Sequence, residues 1–125
     1  MNTQKKPRTV AQSKAAISQK CKSFEARMLK SRNALDQVQI MNEMEEALES
    51  EIYAWDILIQ NEKDSPGEGS ENVINNAVVF IADLQSIIDK ICEGRKELLP
   101  AALILLKANK NSGNDLGIIK HLNDE

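Results

Sequence analysis

The side chains most able to do chemistry in this chain are cations, and they are concentrated in its first quarter. Residues 1–32 hold nine Lys or Arg and one acid, which gives this segment a net charge of +8. A flexible cationic arm that leads into a cationic helix can neutralise the phosphates of a nucleic acid. A solvated surface and pairing with the acidic half of another copy are the alternatives, because the charges are scattered around the helix without interleaved aromatic residues. The candidate nucleic-acid-binding residues are Lys5, Lys6, Arg8, Lys14, Lys20, Lys22, Arg27, Lys30 and Arg32.

Carboxylates dominate the next segment, residues 33–76, which holds eleven acids and one Lys. A di-iron helical bundle needs Glu-x-x-His pairs on two helices, and the chain's one histidine, His121, belongs to no such pair. We therefore predict no metal site and no cofactor, and interpret the cluster as a solvated acidic surface or a docking face for a basic partner. The densest part of the cluster comprises Glu43, Glu45, Glu46, Glu49 and Glu51.

No pattern in the sequence is typical of an active site. His121 has no nucleophile with which a scaffold would pair it, and the glycines at 67 and 69 are not followed by the GK[ST] of a phosphate-binding loop. Cys21 and Cys92 are far apart in the sequence and are expected to stay reduced. We predict a cytoplasmic protein that is not an enzyme and has no small-molecule substrate.

The elements that must position these charges are helices. From Arg8 to Ser65 the chain contains no glycine or proline over 58 residues, and these two residues are the strongest helix punctuators. Aromatic residues make up only 3% of the chain, whereas sheets rely on aromatic and β-branched residues. The sequence predicts an all-α fold, with a first helical unit over about residues 10–62 that is one long helix or a kinked pair.

The apolar seam of this first unit changes direction. At 100° per residue, the apolar positions of residues 17–35 lie about 140° around the helix from those of residues 44–59. One straight helix would therefore face two different partners, so the sequence predicts either a helix that bridges two surfaces or a kink near residues 31–42. We favour a continuous or mildly kinked helix, because Ser31 and Asn33 permit a break without requiring one.

The rest of the chain predicts shorter helices that complete one domain over residues 10–125, preceded by a disordered basic arm over residues 1–9. The segment from Lys63 to Ser70 is a loop, and residues 71–99 show an apolar stripe typical of an amphipathic helix. Arg95 lies within that stripe, either as a snorkelling side chain or in an ion pair with the acidic half of the first unit. Pro100 is expected to separate this helix from a helix over 100–111, and a last helix is expected over 115–122. The longest apolar stretch, Leu98 to Leu106, is too short to cross a membrane.

The function that these features favour is a non-enzymatic protein–protein interaction module: an adaptor, a regulator or an assembly subunit that works by coiled-coil or bundle association. A homodimer is the favoured assembly, because two copies packed antiparallel about Val38 would place basic against acidic segments at both ends. The alternative function is a nucleic-acid-associated regulator that uses the basic arm and helix 14–32. Core packing is the competing interpretation of the apolar seam. The predicted interface residues are Phe24, Met28, Leu35, Val38, Met41, Met44 and Trp55.

Overall fold

The computed structural model describes residues 9–108, and this part of the chain is an all-α bundle of three helices. The helices are α1 (Val10–Lys30), α2 (Ala34–Asp64) and α3 (Ser70–Ala108). The predicted hairpin is confirmed, because α2 packs against α3 along most of its length. The expected helix over 115–122 and most of the basic arm lie outside the described residues.

The first helical unit is two helices, separated by Ser31, Arg32 and Asn33. Asn33 caps α2 by accepting a hydrogen bond from the backbone N–H of Asp36 at 2.9 Å. Asp36 in turn accepts from the backbone N–H of Arg32 at 3.1 Å. The expectation of a continuous or mildly kinked helix is therefore wrong, since these short polar side chains bond to the backbone that a continuous helix would use.

The break lets α1 fold back antiparallel along α2. Arg27 of α1 forms an ion pair with Glu43 of α2, with 2.7 Å between Nη1 and Oε1. Towards the other end of α1, Ser13 lies beside Trp55 and Leu58. The basic helix α1 therefore runs beside the acidic helix α2 within one chain. The sequence analysis predicts this pairing of basic with acidic segments between two copies, and the structure forms it within a single copy.

Helix α3 continues through Pro100, so the expected separate helices over 71–99 and 100–111 are wrong. Pro100 has no backbone N–H and cannot donate the helical hydrogen bond to the carbonyl of Lys96. Pro100 and Lys96 are both exposed. Beyond Pro100, Ala102 and Leu106 pack into a cluster with Leu35 and Val38 at the start of α2. This packing holds the last two turns in line with the rest of the helix.

The loop between α2 and α3 follows the predicted glycine-rich segment. Gly69 has a φ of +83°, a conformation that L side chains rarely adopt. The hydroxyl of Ser70, the next residue, accepts from the N–H of Gly67 and donates to Oε1 of Glu62, each at 2.7 Å. The bond to Glu62 joins the start of α3 to the last turn of α2, and the bond from Gly67 closes the loop.

The main core lies where all three helices meet. Trp55 of α2 and Phe80 of α3 make an edge-to-face contact, with ring centroids 5.4 Å apart. Ile17 of α1 is buried against this core. The other buried members are Met41, Met44, Leu48, Ala77, Leu84, Ile88 and Ile91.

A polar network crosses the α2–α3 interface inside this apolar core. Arg95 is 5% exposed and forms an ion pair with Glu45. The same guanidinium donates to Oδ1 of Asn42 at 2.8 Å and to Sγ of Cys92 at 3.5 Å. The ion-pair interpretation of Arg95 is therefore confirmed.

We predict that Arg95→Met lowers the free energy of unfolding by about 3 kcal/mol, because it leaves the carboxylate of Glu45 buried without its cation. Changing both partners, Arg95→Met with Glu45→Met, is expected to restore most of that loss. Chemical denaturation followed by circular dichroism measures both values. Arg27→Met is the control, since it breaks an exposed pair worth less than about 1 kcal/mol. A loss at Arg95 no larger than the loss at Arg27 would contradict the prediction.

Candidate binding groove

A groove with a volume of about 460 Å³ lies between α1 and the second half of α2. Its apolar side is formed by Ala54, Ile57 and Leu58, which lie at i, i+3 and i+4 and so share one face of α2. Ile57 is 44% exposed and Tyr53, one turn earlier, is 69% exposed, so apolar surface continues out of the groove. The complete lining is Ser13, Glu51, Ala54, Trp55, Ile57, Leu58, Asn61 and Glu62.

Trp55 is held in the wall of this groove by contacts on two sides. Its indole Nε1–H donates to Oε2 of Glu51 at 3.1 Å, and its ring packs edge-to-face on Phe80. A buried tryptophan needs a partner for its N–H, and Glu51, one turn earlier on α2, supplies it. The tryptophan therefore presents a fixed surface to anything that enters the groove.

Carboxylates stand at both ends of the groove. Glu51 and Glu62 are half-buried and lie eleven residues apart on α2, which corresponds to about 17 Å along the helix. Glu62 is fixed by the hydroxyl of Ser70. A ligand that suits this groove has an apolar body and positive charge at its ends.

Ser13 adds an unusual polar group to the lining. Its side chain is fully buried, and its hydroxyl oxygen has no hydrogen-bond partner among the described residues. Buried hydroxyls are nearly always hydrogen-bonded, and an unpaired one needs an explanation.

The predicted interface residues are packed inside the chain. Leu35 and Val38 belong to the cluster around Ala102 and Leu106, and Met41, Met44 and Trp55 belong to the main core. The half-buried Phe24 and Met28 pack against that core. The structure therefore places these seven residues as the core-packing interpretation expects, and of them only Trp55 lines the groove.

The groove residues that the sequence analysis missed carry a weak signal. Ala54, Ile57 and Leu58 form a second, short apolar stripe on α2, displaced from the main seam. Ser13 gives no signal, since its burial depends on where α1 folds back. The same holds for Glu62, whose place at the end of the groove follows from the course of α1.

The basic residues of α1 do not form one surface. Arg27 is paired with Glu43, and this hydrogen bond raises the pKa of the guanidinium. Arg32 bonds to Asp36 and holds the pKa of that carboxyl below its usual value. Lys14, Lys20, Lys22 and Lys30 are exposed and form no ion pair with another described residue. Lys5, Lys6 and Arg8 lie outside the described residues.

The two cysteines are free and half-buried. Burial, and next the charge of Glu25, raise the pKa of the Cys21 thiol, which reduces its thiolate fraction and its reactivity. Over residues 9–108 no three or more His, Cys, Asp or Glu side chains are grouped so that they could hold a metal ion. Nor does any helix in that range combine the length and the apolar character needed to cross a membrane.

We predict that Ser13→Ala leaves the free energy of unfolding unchanged or raises it by up to about 1 kcal/mol, because it removes a buried hydroxyl that has no partner. Ser70→Ala is the matched change, and it should cost about 1–2 kcal/mol because it removes two hydrogen bonds. Thermal and chemical denaturation measure the change in the free energy of unfolding for both variants. Equal losses would mean that the Ser13 hydroxyl is bonded in the intact protein.

Comparison with known proteins gives no relative: no family model matches the chain, and neither a curated protein nor a solved structure matches it.

Proposed function

We propose that this chain is a non-enzymatic helical protein–protein interaction module, an adaptor, regulator or assembly subunit that receives a partner segment in the groove beside Trp55. The observation that carries the proposal is the groove itself, which is apolar along Ala54, Ile57 and Leu58 and bounded by Glu51 and Glu62. Helix-in-groove recognition uses an apolar channel of this kind, into which a partner helix places side chains spaced by three or four residues. Tyr53, exposed beside the groove, adds the kind of aromatic surface that is enriched at interfaces.

The charge around the groove specifies the partner further. Glu51 and Glu62 are the acids of the groove's lining, whereas the exposed Glu46, Glu49 and Asp56 lie on other faces of α2. We infer a partner segment with two or three apolar side chains in the groove and Lys or Arg on its flanks. Rim charges of this kind mainly direct orientation and speed association.

The size of the groove predicts modest affinity. Its length of about 17 Å spans three helical turns, enough for two or three anchors. Each buried apolar side chain contributes about 2 kcal/mol before the cost of association is subtracted. The groove alone therefore suits a weak, transient interaction, and tighter binding would need contacts beyond it.

The proposal includes two further elements. A second copy of the chain is one candidate partner, although α1 already covers the acidic helix that would otherwise attract that copy. A cytoplasmic location fits the two free thiols, since disulfides are rare in reducing compartments.

We expect a photo-crosslinking amino acid at position 57, introduced into the full-length protein in its native cell, to capture a discrete partner. The same amino acid at position 79 is the control, because Val79 is an exposed apolar residue on α3, 60% accessible, and does not line the groove. Mass spectrometry identifies the captured protein, and Ile57→Asp should abolish its binding. An adduct with the mass of two copies would identify a homodimer.

The absence of any adduct specific to position 57 would contradict the use of the groove. Equal capture from positions 57 and 79 would also contradict the use of the groove, because it would reflect non-specific binding by exposed apolar side chains.

We propose nucleic-acid binding by the basic arm and helix 14–32 as a second function, supported by the four exposed lysines of α1. It predicts binding of a labelled duplex that weakens steeply between about 50 and 200 mM salt. Changing Lys5, Lys6 and Arg8 to Ala should reduce both affinity and salt dependence. Fluorescence anisotropy measures both, and binding that ignores salt and these changes would exclude this role.

A further inference from the structure

Helix α3 buries one face and exposes the opposite face along its length. The buried face packs into the core through residues such as Ala77 and Leu84, and near the end of the helix through Ala102 and Leu106. The residues of the opposite face, the outer face, are all exposed and recur at steps of three or four, as in the seam of a coiled coil. They are Val79, Ala82, Ser86, Asp89, Glu93, Glu97, Pro100 and Ile104, with Lys90, Lys96 and Leu103 on the flanks.

The outer face carries apolar side chains near both of its ends. Val79 is 60% exposed and Ile104 is 69% exposed, and at 100° per residue they point in directions only about 20° apart. The exposed Ala82 and Leu103 extend the two apolar groups towards each other. Single exposed apolar residues are ordinary on a protein surface. These two groups differ in being symmetric, since Val79 lies 13 residues before Cys92 and Ile104 lies 12 residues after it.

The charged side chains between the apolar groups are arranged about the same midpoint. Asp89 precedes it by three residues and Lys96 follows it by four, while Lys90 precedes it by two and Glu93 follows it by one. Each of these pairs therefore places opposite charges on the two sides of the midpoint. The four residues form no ion pair within the described part of the chain, and Asp89 accepts a hydrogen bond from Gln85 at 3.1 Å.

We propose that the outer face of α3 binds the same face of a second copy, with the two helices antiparallel and a two-fold axis near Cys92. In this arrangement Val79 of one copy meets Ile104 of the other, to within one residue. Glu97 meets Ser86 with the same precision, and the serine hydroxyl can donate to that carboxylate. The two-fold axis forms each of these contacts twice, as in other self-complementary interfaces.

The charges of the outer face favour the antiparallel orientation. Asp89 of one copy meets Lys96 of the other, and Lys90 meets Glu93, so the two-fold axis forms four ion pairs. A parallel pair of helices would instead place each of these residues beside its own counterpart, with like charges in contact. Exposed ion pairs are individually weak, so they set the orientation while burial of the apolar ends supplies the affinity.

A dimer formed through α3 leaves the groove beside Trp55 accessible in both copies, because that groove is lined by residues of α1 and α2. The dimer therefore presents two grooves. A partner that carries two suitable segments would bind both, and the second contact would benefit from a high effective concentration. This consequence rests on the proposed function, whereas the dimer itself does not.

Sedimentation equilibrium of the full chain tests the proposal. We expect the wild type to approach the mass of two copies as concentration rises. Ile104→Asp should raise the dissociation constant at least about ten-fold, because the two-fold axis places the new charge in both apolar contacts. Leu29→Asp is the matched control, since Leu29 is 87% exposed on α1, and it should leave the dissociation constant unchanged. Circular dichroism checks that both variants stay folded.

Charge reversal tests the orientation of the two helices. Lys96→Glu and Asp89→Lys each bring like charges together at two places, so each should raise the dissociation constant about three-fold or more. The chain that carries both changes pairs opposite charges again and should return to the wild-type dissociation constant. A parallel dimer would show no such recovery.

Three results would overturn the proposal. The first is a wild-type chain that stays a monomer up to about 1 mM. The second is an equal dissociation constant for Ile104→Asp and Leu29→Asp, and the third is a failure of the double charge reversal to restore association. A dimer that Ile57→Asp abolishes and Ile104→Asp preserves would also overturn it, because the second copy would then lie in the groove.

The crosslinking experiment separates this inference from the proposed function. A second copy captured at position 79 and not at position 57 supports the dimer through α3. If position 57 then captures nothing, the groove has no partner and the dimer stands. If position 57 captures an external protein while sedimentation shows only monomers, the groove is used and the dimer is wrong.

Discussion

The buried ion pair between Arg95 and Glu45 is the constraint on which the rest of the fold depends. Apolar side chains on two long helices can slide past one another at modest cost, whereas a buried guanidinium must meet its acceptors or lose several kcal/mol. Arg95 meets Glu45 and Asn42 together, which selects one register of α3 on α2. That register brings Phe80 to Trp55, and it brings Ala102 and Leu106 to Leu35 and Val38.

The second constraint is the change of direction in the apolar seam. A straight helix over residues 10–64 would point its first apolar face about 140° away from its second, so one half would stay exposed. The break at 31–33 resolves this conflict because α1 can turn its own face onto the α2–α3 pair. Since α1 packs over only part of α2, the fold-back also leaves a groove beside Trp55. The groove is thus a consequence of joining a short helix to a longer one.

The sequence was informative where one residue type decides the outcome. Gly67, Gly69 and Pro66 located the loop, and the charge of Arg95 within an apolar stripe left an ion pair as one of two interpretations. It was less informative where tertiary packing overrides propensity. Pro100 stays inside α3 because Ala102 and Leu106 are buried beyond it, and nothing local to Pro100 reveals that. Ser31 and Asn33 are compatible with both a helix and a break, so only the packing of α1 decides between them. The groove could not be predicted, since Ser13 and Glu62 meet only after the fold-back.

The change of charge sign along the chain takes on a different meaning in the folded molecule. In the sequence it suggests association between copies, but the fold uses it internally by placing α1 beside α2. The use is incomplete, because Arg27 pairs with Glu43 while the exposed lysines of α1 form no ion pair with another described residue. A segment that enters the groove would therefore meet Glu51 and Glu62 with positive charge of its own.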